Sequence, residues 1–219
     1  MRVYKFVNAL HGISNLSLQR LRVSRFNELN DPFELLAVDL LDSKHRRALL
    51  KFKQTMDAQH GLLCFSKDWR NPLLWGHYGD SHKGMALGFD IPDDLLFEVK
   101  YTQARSKAKF NARTGMLIQG EQLLENLIRT KFSDWGYEEE YRLVERLDDH
   151  TQEGGSYFCS FSERLQPREV ILGFRCDLSV DTVRGLLKND FGVASVKKTK
   201  LALKKFRVVE DRTARIRTS

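Results

Sequence analysis

Three consecutive carboxylates, Glu138, Glu139 and Glu140, stand between Trp135-Gly136-Tyr137 and Tyr141-Arg142. A glutamate run most often faces water, with a neighbour such as Arg142 as its partner. Here Tyr137, Tyr141, Leu143 and Val144 frame the run, which predicts a partly buried strand entered through a short Asp-Trp-Gly turn. Side chains alternate along a strand, so Glu138, Glu140 and Arg142 fall on one face. Carboxylates held beside aromatic rings at the start of a strand suit a reaction whose transition state develops positive charge.

A second polar cluster runs from Cys64 to Gly84, CFSKDWRNPLLWGHYGDSHKG. Ser66 closes a strand there, and Asn71, Trp75, Tyr78 and His82 follow on or beside a short helix. Trp75 and Tyr78, three apart, are equally what a helix needs to pack onto a core. Asp31 and Glu34 in the stretch NDPFE add two carboxylates, which turn-making and helix-capping explain nearly as well. There is no Walker loop, no GxGxxG and no HExxH. His77 and His82 are five positions apart, which does not stack them on one helix face, so no metal site is expected.

Charge separates the chain into two parts. The formal net charge is +7 over 219 residues. From Lys197 onward, nine cations face only Glu210 and Asp211, so the whole surplus lies there and the preceding residues balance. Lys197, Lys198, Lys200, Lys204, Lys205 and Arg207 are the expected contacts to phosphates of a nucleic acid, an affinity that salt would weaken. The plainer reading is an edge strand protected by lysines. No apolar run approaches the roughly 20 residues of a membrane-spanning helix. The N-terminal MRVYKFVNALHGIS lacks the apolar core and cleavage site of a secretory signal. Three widely spaced cysteines (Cys64, Cys159, Cys176) without CxxC fit a reducing cytoplasm rather than a disulfide framework.

The elements that must position these groups follow from periodicity. Strands are predicted at Val3–Val7, Gly61–Ser66, Gly84–Ile91, Ser156–Phe161 and Glu169–Phe174, besides the one after Glu138. Leu96–Tyr101 is expected beside Gly84–Ile91, and the tail is expected to form strands at Val193–Lys198 and Lys205–Val209. Helices are predicted over Ile13–Leu21, about Ser43–Met56, from Asn71-Pro72, about Arg105–Lys131, and from Ser179 to Asn189. Several strands follow one another without a helix between them, which predicts α+β rather than alternating βαβ. With 42% hydrophobic residues the chain can bury one sizeable core. One domain is expected: a catalytic-type body over residues 1–196, and a basic strand and tail over 197–219 packed on it or extending from it.

Taken in order, FNELNDPFE, LCFSKDWRNPLLWGHYGDSHKG and WGYEEEYR resemble an uncharacterised bacterial family, domain of unknown function twenty-nine seventy-one, over roughly Tyr4 to Phe174. A more distant likeness is to the ADP-ribosyltransferases, including DNA-modifying toxins and the poly(ADP-ribose) polymerase branch. It is carried by VYKFV, LRVS, LCFS with LLWGHY, GMALGFDI and EEEYR. That resemblance implies an ADP-ribosyltransferase-like fold, with a mixed, mainly antiparallel split sheet flanked by helices, and NAD as substrate. In those enzymes a His or Arg on the first strand, a Ser or Tyr in the middle and a late Glu grip NAD. Lys5 stands in the first place instead of His or Arg, Ser66 or Tyr78 in the second, and Glu140 in the third. On this reading Glu138 orients or deprotonates the acceptor, Tyr78 or Trp75 stacks on nicotinamide, and Lys5 with Asn30 addresses phosphate or ribose. His82 and Arg142 complete the expected NAD contacts. Cleaving the nicotinamide–ribose bond creates an oxocarbenium-like carbon, which suits a preorganised carboxylate. The likeness further implies a toxin or phage-defence effector acting on a macromolecule, nucleic acid included, with an antitoxin or phage protein as a partner.

Two other readings use the same residues. One is a Mg²⁺-dependent nuclease on Asp31, Glu34, Glu138 and Glu140. The other is a non-catalytic nucleic-acid-binding module in which those carboxylates are structural.

Overall fold

Asn8 opens the first helix of the chain by accepting from the His11 backbone N–H (2.7 Å). In this computed structural model, which describes residues 1–39, 41–106, 111, 113, 118, 121–187, 192, 193 and 195–215, that helix is α1 (Ala9–Ser17). It follows strand β1 (Arg2–Val7) and stops short of the predicted Leu21. Gln19 turns the chain at φ +52°, and β2 (Arg20–Arg25) begins. Leu21 and Val23 are both buried there with exposed Arg22 between them, so their spacing is that of a strand and not of a helix face.

The remaining elements are α2 (Ser43–Gln59), β3 (His60–Ser66), α3 (Pro72–His77), β4 (Met85–Asp90), β5 (Leu96–Glu98) and β6 (Lys100–Thr102). Then come α4 (Glu121–Arg129), β7 (Thr130–Phe132), β8 (Glu140–Arg146), β9 (Thr151–Glu153), β10 (Ser156–Ser160) and β11 (Gln166–Leu172). The chain closes with α5 (Val180–Leu186), β12 (Ser195–Leu201) and β13 (Val208–Glu210). The expected α+β class is present as one mixed sheet flanked by helices. Its strand order is β13-β12-β11-β4-β1-β3-β2-β10-β9, with β8 added on β3 and β5 on β8. Among the described residues its pairs are antiparallel except β11 with β12, and β6 with β7 form a separate parallel pair.

β3 is where the sheet divides. One edge pairs with β8 along its whole length, from Ser66↔Glu140 to His60↔Arg146. The other edge is shared by β2, at Gly61 and Leu62, and by β1, through the single pair Tyr4↔Ser66. Between those attachments the strands part around Cys64, and Lys5 reaches its carbonyl across the gap (3.4 Å). Period two then sorts the core. Val3, Leu63, Phe65, Leu87 and Leu143 join one large cluster with Leu16 of α1 and Val183 of α5. On the opposite face Leu62 meets α2 and α4 through Leu49, Phe52 and Leu127, while Tyr4, Ala86 and Ile171 meet Trp69 and Trp75 around α3.

Two expectations are corrected. Leu96–Tyr101 does not flank β4: β5 lies on β8, β6 lies on β7, and Val99 N donates to the Glu140 carbonyl (3.0 Å). The helix predicted over Arg105–Lys131 is represented by α4, which ends at Arg129 and puts Lys131 on β7; residues 107–110, 112, 114–117, 119 and 120 lie outside the described set. The basic segment supplies part of β12 and all of β13, with Val196, Thr199 and Val208 buried, and residues 202–207 form the exposed connection between the two strands. Residues 188 and 189, at the end of the predicted Ser179–Asn189 helix, and Arg217 also lie outside the described residues. No helix among the described residues is long and apolar enough to cross a membrane. Cys64, Cys159 and Cys176 are free.

Candidate active site at the split of the sheet

The glutamate run is shaped by a turn rather than by a continuous strand. A 3-10 segment, Ser133–Glu138, precedes Glu139, which adopts a left-handed conformation (φ +42°), and β8 starts only at Glu140. A non-glycine residue in that region costs about 1–2 kcal/mol, so the surroundings must hold it. They come from the second polar cluster: Lys67 N donates to the Glu139 carbonyl (3.1 Å), Asn71 Nδ2 to that of Tyr137 (2.9 Å), and Ser66 Oγ to that of Glu138. Asn71 also caps α3, with Pro72 in the first turn. The turn brings Glu138 and Glu140 to one ammonium although Glu138 lies off the strand.

That ammonium is Lys131, which periodicity alone places at the end of a helix. Its Nζ lies 2.5 Å from Glu138 Oε2 and 3.1 Å from Glu140 Oε2, and all three residues are buried. Behind them Arg142, 0% exposed, binds Glu140 through Nε and Nη2 (2.9 and 3.1 Å) and Glu34 through Nη1 and Nη2 (2.9 and 2.6 Å). Tyr78 Oη donates to Glu138 Oε1 and accepts from Asn30 Nδ2 (2.5 Å).

These contacts drive the two carboxylates apart. Burial works against the charge of Glu140, but Arg142 and Lys131 outweigh it and bring the group down to about 2. Glu138 is raised above the usual carboxylate value, because burial exceeds what Lys131 and Tyr78 return. Burial likewise raises Glu34 against the pull of Arg142. Burial, then the hydrogen bond to Glu138, raises Tyr78. Lys5 is lowered by burial, with Cys64 and Glu140 offsetting only part of it.

A half-open cavity of about 280 Å³ occupies the split. Lys5, Asn30, Ser66, Tyr78, Glu138 and Glu140 all line it, as do Lys131, Glu34 and the aromatic walls Tyr4, Phe6 and Phe65. Six expected site residues from five separate segments therefore meet at one place. A second cavity, about 230 Å³, shares Lys131, and a third, about 290 Å³, shares Ser66 and extends to Arg70, Phe206 and Arg207.

Three expected contacts do not reach the cavity. Trp75 is 0% exposed, donates Nε1–H to the Trp69 carbonyl (2.6 Å) and meets Phe6 edge-on, so it is core and cannot stack on a ligand. His82 lies against Trp75 and Phe174 (ring centroids 6.1 and 4.9 Å) and does not line the cavity. Arg142 is sealed between Glu34 and Glu140 and positions Glu140 instead of touching a ligand. Among the basic residues, Lys197 pairs with Glu169 (2.5 Å), Lys200 with Asp211 (3.3 Å) and Arg207 with Asp68 (2.5 Å), while Lys198 donates to the Cys176 carbonyl. Lys204 and Lys205 are exposed on the β12–β13 connection, beside Leu203 and Phe206, each fully exposed.

Compared with family models, with curated proteins and with solved structures, the chain has no match in any of the three. The resemblances read from its motifs therefore rest on those motifs, and what the site can do rests on its geometry.

Proposed function

We propose that this chain is an enzyme that breaks the nicotinamide–ribose bond of NAD and transfers ADP-ribose to a macromolecular acceptor. One observation carries the reading: the cavity at the split of the sheet is lined by two carboxylates in unlike surroundings, Glu140 held by Arg142 and Lys131, and Glu138 held by Lys131 and Tyr78. Neighbouring carboxylates in that condition divide the work of glycosidic chemistry between them. Glu140 stays ionised and stabilises the positive charge that develops on the anomeric carbon as nicotinamide leaves with the electron pair of the C–N bond. A contribution comparable to one oxyanion-hole donor is about 3–4 kcal/mol. Glu138 accepts the proton of the attacking acceptor, with Tyr78 and Asn30 fixing its orientation. Lys5 offers a cation to phosphate, and Tyr4, Phe6, Phe65 and Tyr78 offer aromatic faces to the pyridinium ring.

The cavity suits the nicotinamide–ribose half of the dinucleotide, since pockets for larger ligands run from about 300 to 1,000 Å³. The adjoining cavity at Ser66 reaches Arg70, Phe206 and Arg207 and also Asp68 and Glu139, and the exposed Lys204 and Lys205 on the connection that carries Phe206 support a polyanionic acceptor such as nucleic acid. A Mg²⁺-dependent nuclease on Asp31, Glu34, Glu138 and Glu140 fits less well. Arg142 engages Glu34 and Glu140, Lys131 lies between Glu138 and Glu140, and Asp31 Oδ1 accepts from Phe33 N (2.9 Å). A divalent ion would have to displace two buried cations.

The test is consumption of NAD labelled in its adenylate half, with transfer of label to DNA, RNA or protein. Glu140→Gln should retain the fold and lose about 100-fold or more of the rate. If the wild-type chain neither binds nor consumes NAD with any of these acceptors, the transferase reading fails.

A further inference from the structure

On the opposite face of β8 from Glu140 and Arg142 lies a cluster that the site described above does not use. Alternation turns Glu145 away from that site, and Glu145 is buried there beside Cys159 of β10 and His150, which follows a single 3-10 turn at Leu147–Asp149. One ligand atom from each of these three residues lies within 4.8 Å of the others. His150 Nε2 and Glu145 Oε2 are 3.0 Å apart, and their side chains are only 11% and 8% exposed. The three line a cavity of about 230 Å³ together with Ser160, Ser162 and Arg164.

We propose that Glu145, His150 and Cys159 bind a Zn²⁺ ion, with a fourth coordination position open to this cavity. A thiolate, an imidazole and a carboxylate are the three donor types zinc accepts, and three protein ligands with one open position is an arrangement it commonly takes. The thiolate and the carboxylate together balance the charge of the ion. Tetrahedral coordination sets ligand atoms roughly 3.5 Å apart, so the Glu145–His150 pair at 3.0 Å has to open slightly and separations toward the 4.8 Å limit have to close by about an ångström. His150 sits in a connection and not in a strand, and can supply that movement. Arg164 Nη2, 3.8 Å from Glu145 Oε1, belongs to an exposed side chain that can swing clear of the ion. The ion would join β8, the connection after it and β10, elements that among the described strands do not pair with one another.

Co²⁺ is the probe, because its visible bands report tetrahedral geometry and its near-ultraviolet charge-transfer band reports a thiolate ligand. The chain stripped of metal should take up one Co²⁺ with both signatures, and Zn²⁺ should displace it and raise the melting temperature. Cys159→Ala should abolish the charge-transfer band, while Cys176→Ala should keep it. His150→Ala, in the connection, should weaken Co²⁺ binding by at least about 10-fold with an unchanged circular dichroism spectrum, and it carries the test if Cys159→Ala does not fold. Absence of a thiolate band in the wild-type chain would overturn the proposal. So would a band that survives Cys159→Ala, or binding that is unchanged in His150→Ala.

Discussion

Replacing Arg142 with methionine tests whether the candidate site is held by its buried charges. The guanidinium is 0% exposed and makes four short contacts to the carboxylates of Glu34 and Glu140, plus one to the Ile128 carbonyl (2.6 Å). Methionine keeps much of the volume but leaves two buried carboxylates without that partner. Breaking a buried ion pair from one side costs about 3–5 kcal/mol. A second route gives a similar size. Glu140 is brought from its ordinary 4.5 to about 2, which corresponds to about 3 kcal/mol of stability, shared between Arg142 and Lys131. For a chain of this length the loss should appear as a fall in melting temperature of about 6–20 °C near neutral pH. The pH dependence has a definite sign. In the wild type the Glu140 contribution is fully present above 4.5 and is lost as pH falls from there toward about 2. In Arg142→Met burial dominates and Glu140 rises, so protonation relieves the variant and its deficit should narrow between about pH 7 and about pH 4. Adding Glu34→Leu should recover part of the loss, because it removes one of the stranded charges. Thermal denaturation followed by circular dichroism at both pH values is sufficient. A deficit below about 1 kcal/mol, the size of an exposed pair, or one that widens on acidification, would refute the reasoning.

Two further outcomes address chemistry and partners. Glu138, held above its ordinary 4.5 mainly by burial, must be ionised to act as a base, so transfer to an acceptor should fall as pH drops through a value above 4.5. Glu138→Gln should remove that limb and lower the rate about 100-fold or more; a pH–rate profile in which the limb persists counts against the assignment. Lys204→Glu with Lys205→Glu changes two exposed positions and should leave the melting temperature nearly unchanged. Oligonucleotide binding followed by fluorescence anisotropy should weaken, and its logarithmic salt dependence should become shallower by about 2. Wild-type binding with no salt dependence would leave these lysines only the guarding of a sheet edge.

Much of this protein is determined locally and is legible in its sequence. Asn71-Pro72 starts a helix because the asparagine side chain and the ring satisfy its first turn, and GLLCFS and GMALGFDI form strands because apolar runs of that length are buried on both faces. Lys5, Asn30, Ser66, Tyr78, Glu138 and Glu140 stand out as polar residues in apolar or aromatic company, and all six line one cavity. What the sequence does not determine is which polar residues face that cavity and which are sealed behind it. Arg142 and Trp75 resemble ligand contacts by type, yet tertiary packing removes both from solvent. Lys131 resembles one more helix-end cation, and becomes the shared partner of two carboxylates only because β7 and the Glu139 turn bring it there. The surplus charge after Val196 is a property of composition, but only the fold sets Lys197 against Glu169 and Arg207 against Asp68, two carboxylates from elsewhere in the chain. Glu145, His150 and Cys159 have no spacing that marks them, since one strand, one connection and another strand supply them. Local propensity is written in neighbouring residues; the electrostatics of a buried site depend on through-space distances, which only the folded chain sets.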